Sequence, residues 1–269
     1  MKPRHFVLPY IGWMAIFVVA PIIIIFVYAF TTSDGALTLM NFSNMGAYAS
    51  VFIRSFRLAI ISTIICGVIG YPVAYILSRE GPRFQRIMIM IIMLPMWMNF
   101  LLRTYAWMSI LENTGLLNRL LDFAGLPQIQ IINTSAAVII GMVYNFLPFM
   151  VLPIYSVIVK IDRSLYEAAQ DLGANSISVF RKIVFPMSLP GVLSGVTMVF
   201  VPAVSTFVIS QLLGGGKNML LGDLIEIQFL GAAYNPHLGS AISLVMMFIV
   251  IAFMYVMNRF GEGDEMAVM

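Results

Sequence analysis

Six apolar runs, each long enough to cross a bilayer as a helix, leave this chain little freedom in what it can become. They cover residues 6–30, 58–77, 87–111, 135–159, 187–213 and 238–258. A hydrocarbon core about 30 Å thick takes about 20 apolar residues per helical crossing, and a spanning segment must satisfy its own backbone polar groups. The chain has 269 residues, so the crossings and their connections use nearly all of it. Hydrophobic residues make up 61% and charged residues 10%, a balance that excludes a soluble globular protein. The expected fold is an all-α polytopic membrane protein with six transmembrane helices, organised as a single transmembrane domain over residues 1–269. No stretch is left for a large catalytic domain.

The spans are rich in proline: Pro21, Pro72, Pro95, Pro148, Pro153, Pro190 and Pro202 fall inside them or at their rims. Each removes a backbone donor and frees a carbonyl that lipid cannot satisfy, so the kinks pack against protein or line a cavity. Orientation follows the basic residues of the short loops. One side carries Lys2, Arg4, Arg79, Arg83, Arg86, Lys160, Arg163, Arg181, Lys182 and Arg259; the other has Arg54, Arg57, Arg119 and Lys217. This asymmetry predicts both termini in the cytoplasm. The first apolar run is too long for a signal peptide and no small-residue cleavage site follows it, so it reads as a membrane helix. The single Cys66 rules out a disulfide framework or a cysteine zinc cluster, and His5 and His237 have no partner spacing, so no metal site is expected.

The loop over residues 160–186 is the longest on the cytoplasmic side. Ser164-Leu165-Tyr166-Glu167 matches a capping box and predicts a helix beginning at Leu165. Gly173 suits the left-handed conformation that ends a helix, so this helix is about two turns long. Asn175 or Ser176 then caps a second helix with Ile177, Phe180 and Val184 on one face, before Pro186 opens the fifth span. A helix so short is marginal alone and needs a partner surface. Glu167 and Asp171 repel each other at four-residue spacing, with Asp171 near the negative end of the helix dipole. Such a conflict fits a face shaped for docking, or one neutralised by Arg163, Arg181 or Lys182.

Glu167-Ala168-Ala169, then Gly173 after three residues, then Ile183-x-Phe185-Pro186, resembles the EAA loop of bacterial ABC importer permeases. Phe185 stands where that family usually has leucine, which keeps the position apolar. The stretches Leu94-Pro95-Met96-Trp97-Met98-Asn99 with Arg103 and Tyr105, then 147–155, then Gly214-Gly215-Gly216-Lys217-Asn218, resemble the spermidine/putrescine (PotB-type) branch. The resemblance implies a type I, MetI-like permease architecture. It implies that Glu167, Ala168, Ala169, Asp171, Gly173, Ile183 and Pro186 couple the chain to an ATPase. It also implies the partners: a second, PotC-like permease, a cytoplasmic PotA-like ATPase dimer that holds ATP and Mg, and a PotD-like extracellular or periplasmic binding protein. Polyamine is then the substrate and the bacterial inner membrane the location. No cofactor is expected on this chain, and no nucleic acid.

The residues agree that energy comes from elsewhere. Gly214-Gly215-Gly216-Lys217-Asn218 fails as a phosphate-binding loop, because Gln211 replaces its leading glycine and Asn218 its Ser/Thr. The glycines suit an irregular external turn, which the family places near the gate. Candidate path residues are Trp97, Asn99, Arg103, Tyr105, Asn145, Asp223 and Glu226. Aromatic faces and carboxylates suit an ammonium cargo. Arg103 would repel one, which favours a structural or gating role, and Asn99, one turn earlier, is placed to join it in a polar cluster. Asp223 and Glu226, three apart, are expected to share a helix face near the outside. Gly191-x-x-x-Gly195 permits close helix approach, either within the chain or against the second permease. No catalytic constellation is recognisable. The residues alone leave open a permease of the same build carrying a sugar, iron or an anion, and an ion-gradient secondary transporter.

Overall fold

The computed structural model describes residues 4–231 and 233–265, which places Lys2 of the basic count outside the described part. Helices α1 (Pro9–Ala29), α2 (Met40–Arg79), α6 (Ser135–Ile158), α8 (Ser176–Ser205) and α11 (Pro236–Phe260) are each long and apolar enough to cross a membrane. Between α2 and α6 the chain forms α3 (Pro82–Trp97) and α4 (Phe100–Leu111); Pro82–Trp97 and the stretch Phe100–Phe123 meet at a bend of 91° and make a sixth span when taken together. Shorter helices α5 (Leu116–Phe123), α7 (Arg163–Asp171), α9 (Val208–Gly214) and α10 (Leu221–Leu230) occupy the connections.

Three expectations are corrected. The third span is not one helix over 87–111, because Met98 and Asn99 leave helical geometry and the Asn99 side chain accepts from the amides of Leu101 (2.8 Å) and Leu102 (3.4 Å). A side-chain cap of this kind supplies partners to amides that a helix start would otherwise leave bare. The fifth span does not reach residue 213: it ends at Ser205, where Thr206 turns extended and the Ser205 hydroxyl donates to the carbonyls of Val201 and Pro202. Nor is the second loop helix separate from that span. Ser176 begins a helix that runs through Pro186 without stopping, by way of a π-helical turn at Phe180–Val184. The amide of Phe185 reaches back to the Phe180 carbonyl, so one wide turn absorbs the proline that follows.

The core lies where α2, α6 and α8 pack together. Gly191 and Gly195 of α8 face α6 so closely that a Cβ at Gly195 would stand 2.8 Å from Met150 Sδ, and one at Gly191 would stand 2.9 Å from the Pro153 carbonyl oxygen. The small-residue pair is therefore a seam within the chain. By contrast α1 exposes almost all of its apolar surface and is buried only at Ala29, against Ala241 and Leu244 of α11.

Candidate functional site

The bundle has two ends, one marked by Arg79 and the other by Arg54. At the Arg79 end, α7 starts at Arg163 because Asp162, not Ser164, is its cap: the Asp162 carboxylate accepts from the Ser164 amide (2.9 Å). The charged acceptor two residues upstream caps the first turn, so the helix starts two residues sooner than the capping box implies. The same bond holds the Asp162 carboxyl below its ordinary range. Gly173 ends α7 at φ +79°, and the Asn175 side chain accepts from the Ser178 amide (2.8 Å) to start α8. The helix, sharp turn and helix expected from the sequence are present.

Glu167, Ala168, Asp171 and Gly173 all lie on the exposed side of this segment, whereas Ala169 and Ile183 pack inward. Leu172 is 89% exposed and Ile177 70% exposed. Tyr166 turns inward. The Arg79 guanidinium stacks 4.3 Å from its ring, lies 5.2 Å from the Tyr75 ring, and donates to the Tyr75 hydroxyl at 3.0 Å. Sequence reasoning used Arg79 only as a loop charge. The four-residue spacing of Tyr75 and Arg79 signals half of this arrangement, while nothing local signals Tyr166.

Within the membrane, Arg103 is only 8% exposed, and its Nε and Nη1 have no hydrogen-bond partner. Asn145, in the middle of α6, donates to the Gly141 carbonyl (2.8 Å) and leaves its Oδ1 without a partner. Both side chains line one cavity of about 480 Å³ with Met96, Phe100, Phe149 and Met198. The structure thus brings Arg103 and Asn145 together. Asn99 is engaged as a cap, Trp97 is 76% exposed, and Tyr105 points outward, so those three do not join them. Trp107 packs edge-on against Tyr144 at 5.2 Å.

At the Arg54 end the glycine loop is tied down. Gly215 and Gly216 take positive φ, and Gly215 packs directly on the Asn133 side chain. Asn218 donates to the carbonyls of Asn133 and Gly214 (both 3.1 Å) and accepts from the Ser135 hydroxyl (2.9 Å), while Arg54 donates to the Lys217 carbonyl at 2.6 Å. Nearby, Asp223 and Glu226 do not present one face. Asp223 is buried and accepts from the Leu220 amide at 2.7 Å, whereas Glu226 accepts from Gln211. A carboxylate at the third position of a helix turns back to the bare amides of the first turn, which draws Asp223 inward. Burial, opposed by the Leu220 bond, pushes the Asp223 carboxyl up to about 6.

The chain as a whole has counterparts among known proteins. Residues 67–262 match the family of binding-protein-dependent transport system inner membrane components. The chain belongs to this family. As an inner membrane component it is a multi-pass membrane protein whose relatives are transport permeases. It is 38% identical over 261 residues to the spermidine/putrescine transport system permease protein PotB of Haemophilus influenzae, covering 92% of this chain and 91% of that relative. The fold is shared with a chain of a bacterial ABC transporter involved in the import of the acidic polysaccharide alginate (TM-score 0.83, 16% identity, 96% of this chain and 94% of that one). It is also shared with a chain of the MetNI methionine ABC transporter in an inward-facing conformation (TM-score 0.61, 20% identity, 82% of this chain and 97% of that one). The chain therefore has the ABC importer permease fold, as the resemblance implied.

Proposed function

We propose that this inner membrane component is one of two permease subunits of an ATP-driven importer for polyamines, spermidine or putrescine. The observation that carries the cargo assignment is the 38% identity to PotB maintained across 92% of the chain. In this reading both termini and the Arg79 end face the cytoplasm, as the basic residues of the loops favour. The segment 163–179 seats on an ATPase dimer through Leu172, Ile177, Glu167 and Ala168. ATP and Mg are held by that dimer, and a binding protein delivers cargo at the Arg54 end. Closure of the ATPases moves α7, and the bundle shifts between outward and inward access as packed helices reposition.

The path needs weak, successive contacts, because a cargo held tightly is not released. Trp97 and Tyr105 offer aromatic faces on exposed surface, and Glu226 a carboxylate at the outer end. Arg103 and Asn145 form a polar point inside the wall that repels a cation from the cavity rather than binding it. The test is reconstitution of this chain with the second permease, the ATPase and the binding protein in vesicles, following uptake of labelled spermidine and putrescine. ATP-dependent uptake suppressed by excess polyamine, and indifferent to sugars, iron or anions, supports the reading. Uptake that continues without the ATPase, or only of another solute, ends it.

A further inference from the structure

Helix α7 is exposed over most of its surface and joins α8 by a short turn, so whatever force it receives reaches α2 through few side chains. Tyr166 is the aromatic residue of α7 that turns toward the bundle, and Arg79, the last residue of α2, stacks on it at 4.3 Å. The contacts continue inward. Arg79 holds Tyr75 through both its ring and its hydroxyl. Tyr75 meets Phe180 edge-on at 5.3 Å, and Phe180 meets Tyr71 edge-on at 5.7 Å. The Ser188 hydroxyl donates to the Phe185 carbonyl (2.9 Å), so the Tyr71 hydroxyl donates to Ser188 at 2.7 Å. This chain of contacts runs from α7 into the end of α2 and then into the π turn of α8. A π turn is a place where a helix readily changes register, because its hydrogen bonds are already wider than those on either side.

We propose that Arg79 is a positioning residue that transmits movement of α7 to α2 and to the π turn of α8, and so sets how much transport each ATP yields. The proposal rests on the reading of 163–179 as the ATPase contact. A guanidinium suits the role because it is planar. It stacks on the Tyr166 ring, approaches the Tyr75 ring and still donates to the Tyr75 hydroxyl, three contacts that a lysine ammonium does not make at once.

The experiment uses the four-component importer in vesicles with Arg79→Met, Arg79→Lys, Tyr166→Leu and the Arg79→Met/Tyr166→Leu double variant, measuring solute imported per ATP hydrolysed. Each is repeated with Leu172→Cys, cross-linked to the ATPase; Cys66 is buried and does not compete. Arg79→Met and Tyr166→Leu should each lower import per ATP by about tenfold while ATP hydrolysis stays within about twofold, and the double variant should be no worse than either, the mark of two groups acting as one. Arg79→Lys should fall between wild type and Arg79→Met. The cross-link should form in every case. Import per ATP within about twofold of wild type in Tyr166→Leu, or losses that multiply in the double variant, overturns the link. If Arg79→Met lowers assembly of the complex, Tyr166→Leu, which removes the same stack from the exposed side, decides. Absence of the cross-link in otherwise wild-type importer overturns the ATPase contact instead, so the two failures are told apart.

Discussion

The two ends of the bundle are finished differently. At the Arg54 end the loop polar groups find partners in the chain itself: Asn218 joins Asn133, Gly214 and Ser135, and Arg54 closes on the Lys217 carbonyl. At the Arg79 end, Leu172 and Ile177 stand in the open and the short α7 is held by an inward tyrosine and an arginine stack. A short helix gains little from its own hydrogen bonds. Its stability must come from what covers it, whereas the glycine loop at the Arg54 end is held by side chains of the chain itself. The difference predicts opposite signatures. Damage to α7 should spoil transport and spare the isolated chain; damage to the glycine loop should weaken the isolated chain first.

The largest effect is expected at Gly173. A Cβ there meets nothing within 4 Å, so a substitution clashes with no neighbour in the chain, but φ of +79° strains any residue with a side chain. A β-branched residue suffers most, and asparagine tolerates the left-handed region best. Gly173→Val should lower uptake more than about tenfold, with Gly173→Asn retaining most of it, because a strain of about 1–2 kcal/mol is enough to redirect a two-turn helix. Membrane insertion and the thermal midpoint of the purified chain should be unchanged. Normal uptake by Gly173→Val would remove the reason to regard this turn as part of the transport machinery.

Asn218→Ala tests the opposite end. It leaves the carbonyls of Asn133 and Gly214 and the Ser135 hydroxyl short of a partner, which should cost about 1–3 kcal/mol. The thermal midpoint of the chain in detergent should fall by several degrees, with uptake per folded importer reduced by no more than about threefold. A variant that transports poorly yet melts like wild type would erase the contrast, since the glycine loop would then act through something outside the chain rather than through its own hydrogen bonds.

How much of this was legible in the sequence depended on whether the deciding interaction was local. The presence of the spans was legible because hydrocarbon thickness sets a least apolar length for a crossing, but their ends were not: the second, read as 58–77, lies in a helix over Met40–Arg79. Gly173 and Asn175 were legible because a left-handed turn and a side-chain cap are each decided within a few residues. The break in the third span was not. Pro95 in α3 reads like Pro148 in α6, yet α6 continues and α3 stops. Asn99 makes the difference, by giving the amides of Leu101 and Leu102 a partner when the helix restarts. The start of α7 was misplaced for a related reason: Asp162 and Ser164 are both good caps two residues apart, and pattern alone does not rank them. The site divides in the same way. The exposed 167–173 face follows from sequence, whereas the Arg79 stack on Tyr166 and the shared cavity of Arg103 and Asn145 join elements remote along the chain.

Asp223 gives the smallest and most specific test of the self-contained end. Its carboxyl is 3% exposed, one oxygen accepts from the Leu220 amide and the other has no partner, and burial raises it from an ordinary 3.8 to about 6. The folded chain therefore keeps this proton more tightly than the unfolded chain. Stability contributed by the protonated form is full below pH 3.8, is lost as pH rises toward about 6, and stays lost above it. Asp223→Asn preserves an oxygen for the Leu220 amide and removes the charge, so its thermal midpoint should lack that pH dependence and should exceed wild type by a few degrees near neutral pH. Cys66, buried in the core, serves as a reporter when labelled under partial unfolding; thiolate formation speeds labelling of both proteins alike as pH rises, so the ratio of the wild-type rate to that of Asp223→Asn should grow between pH 4 and 6. Parallel pH curves for the two proteins would mean that Asp223 is solvated in the membrane. The Arg54 end would then be as open as the Arg79 end, and the contrast between them would rest on the glycine loop alone.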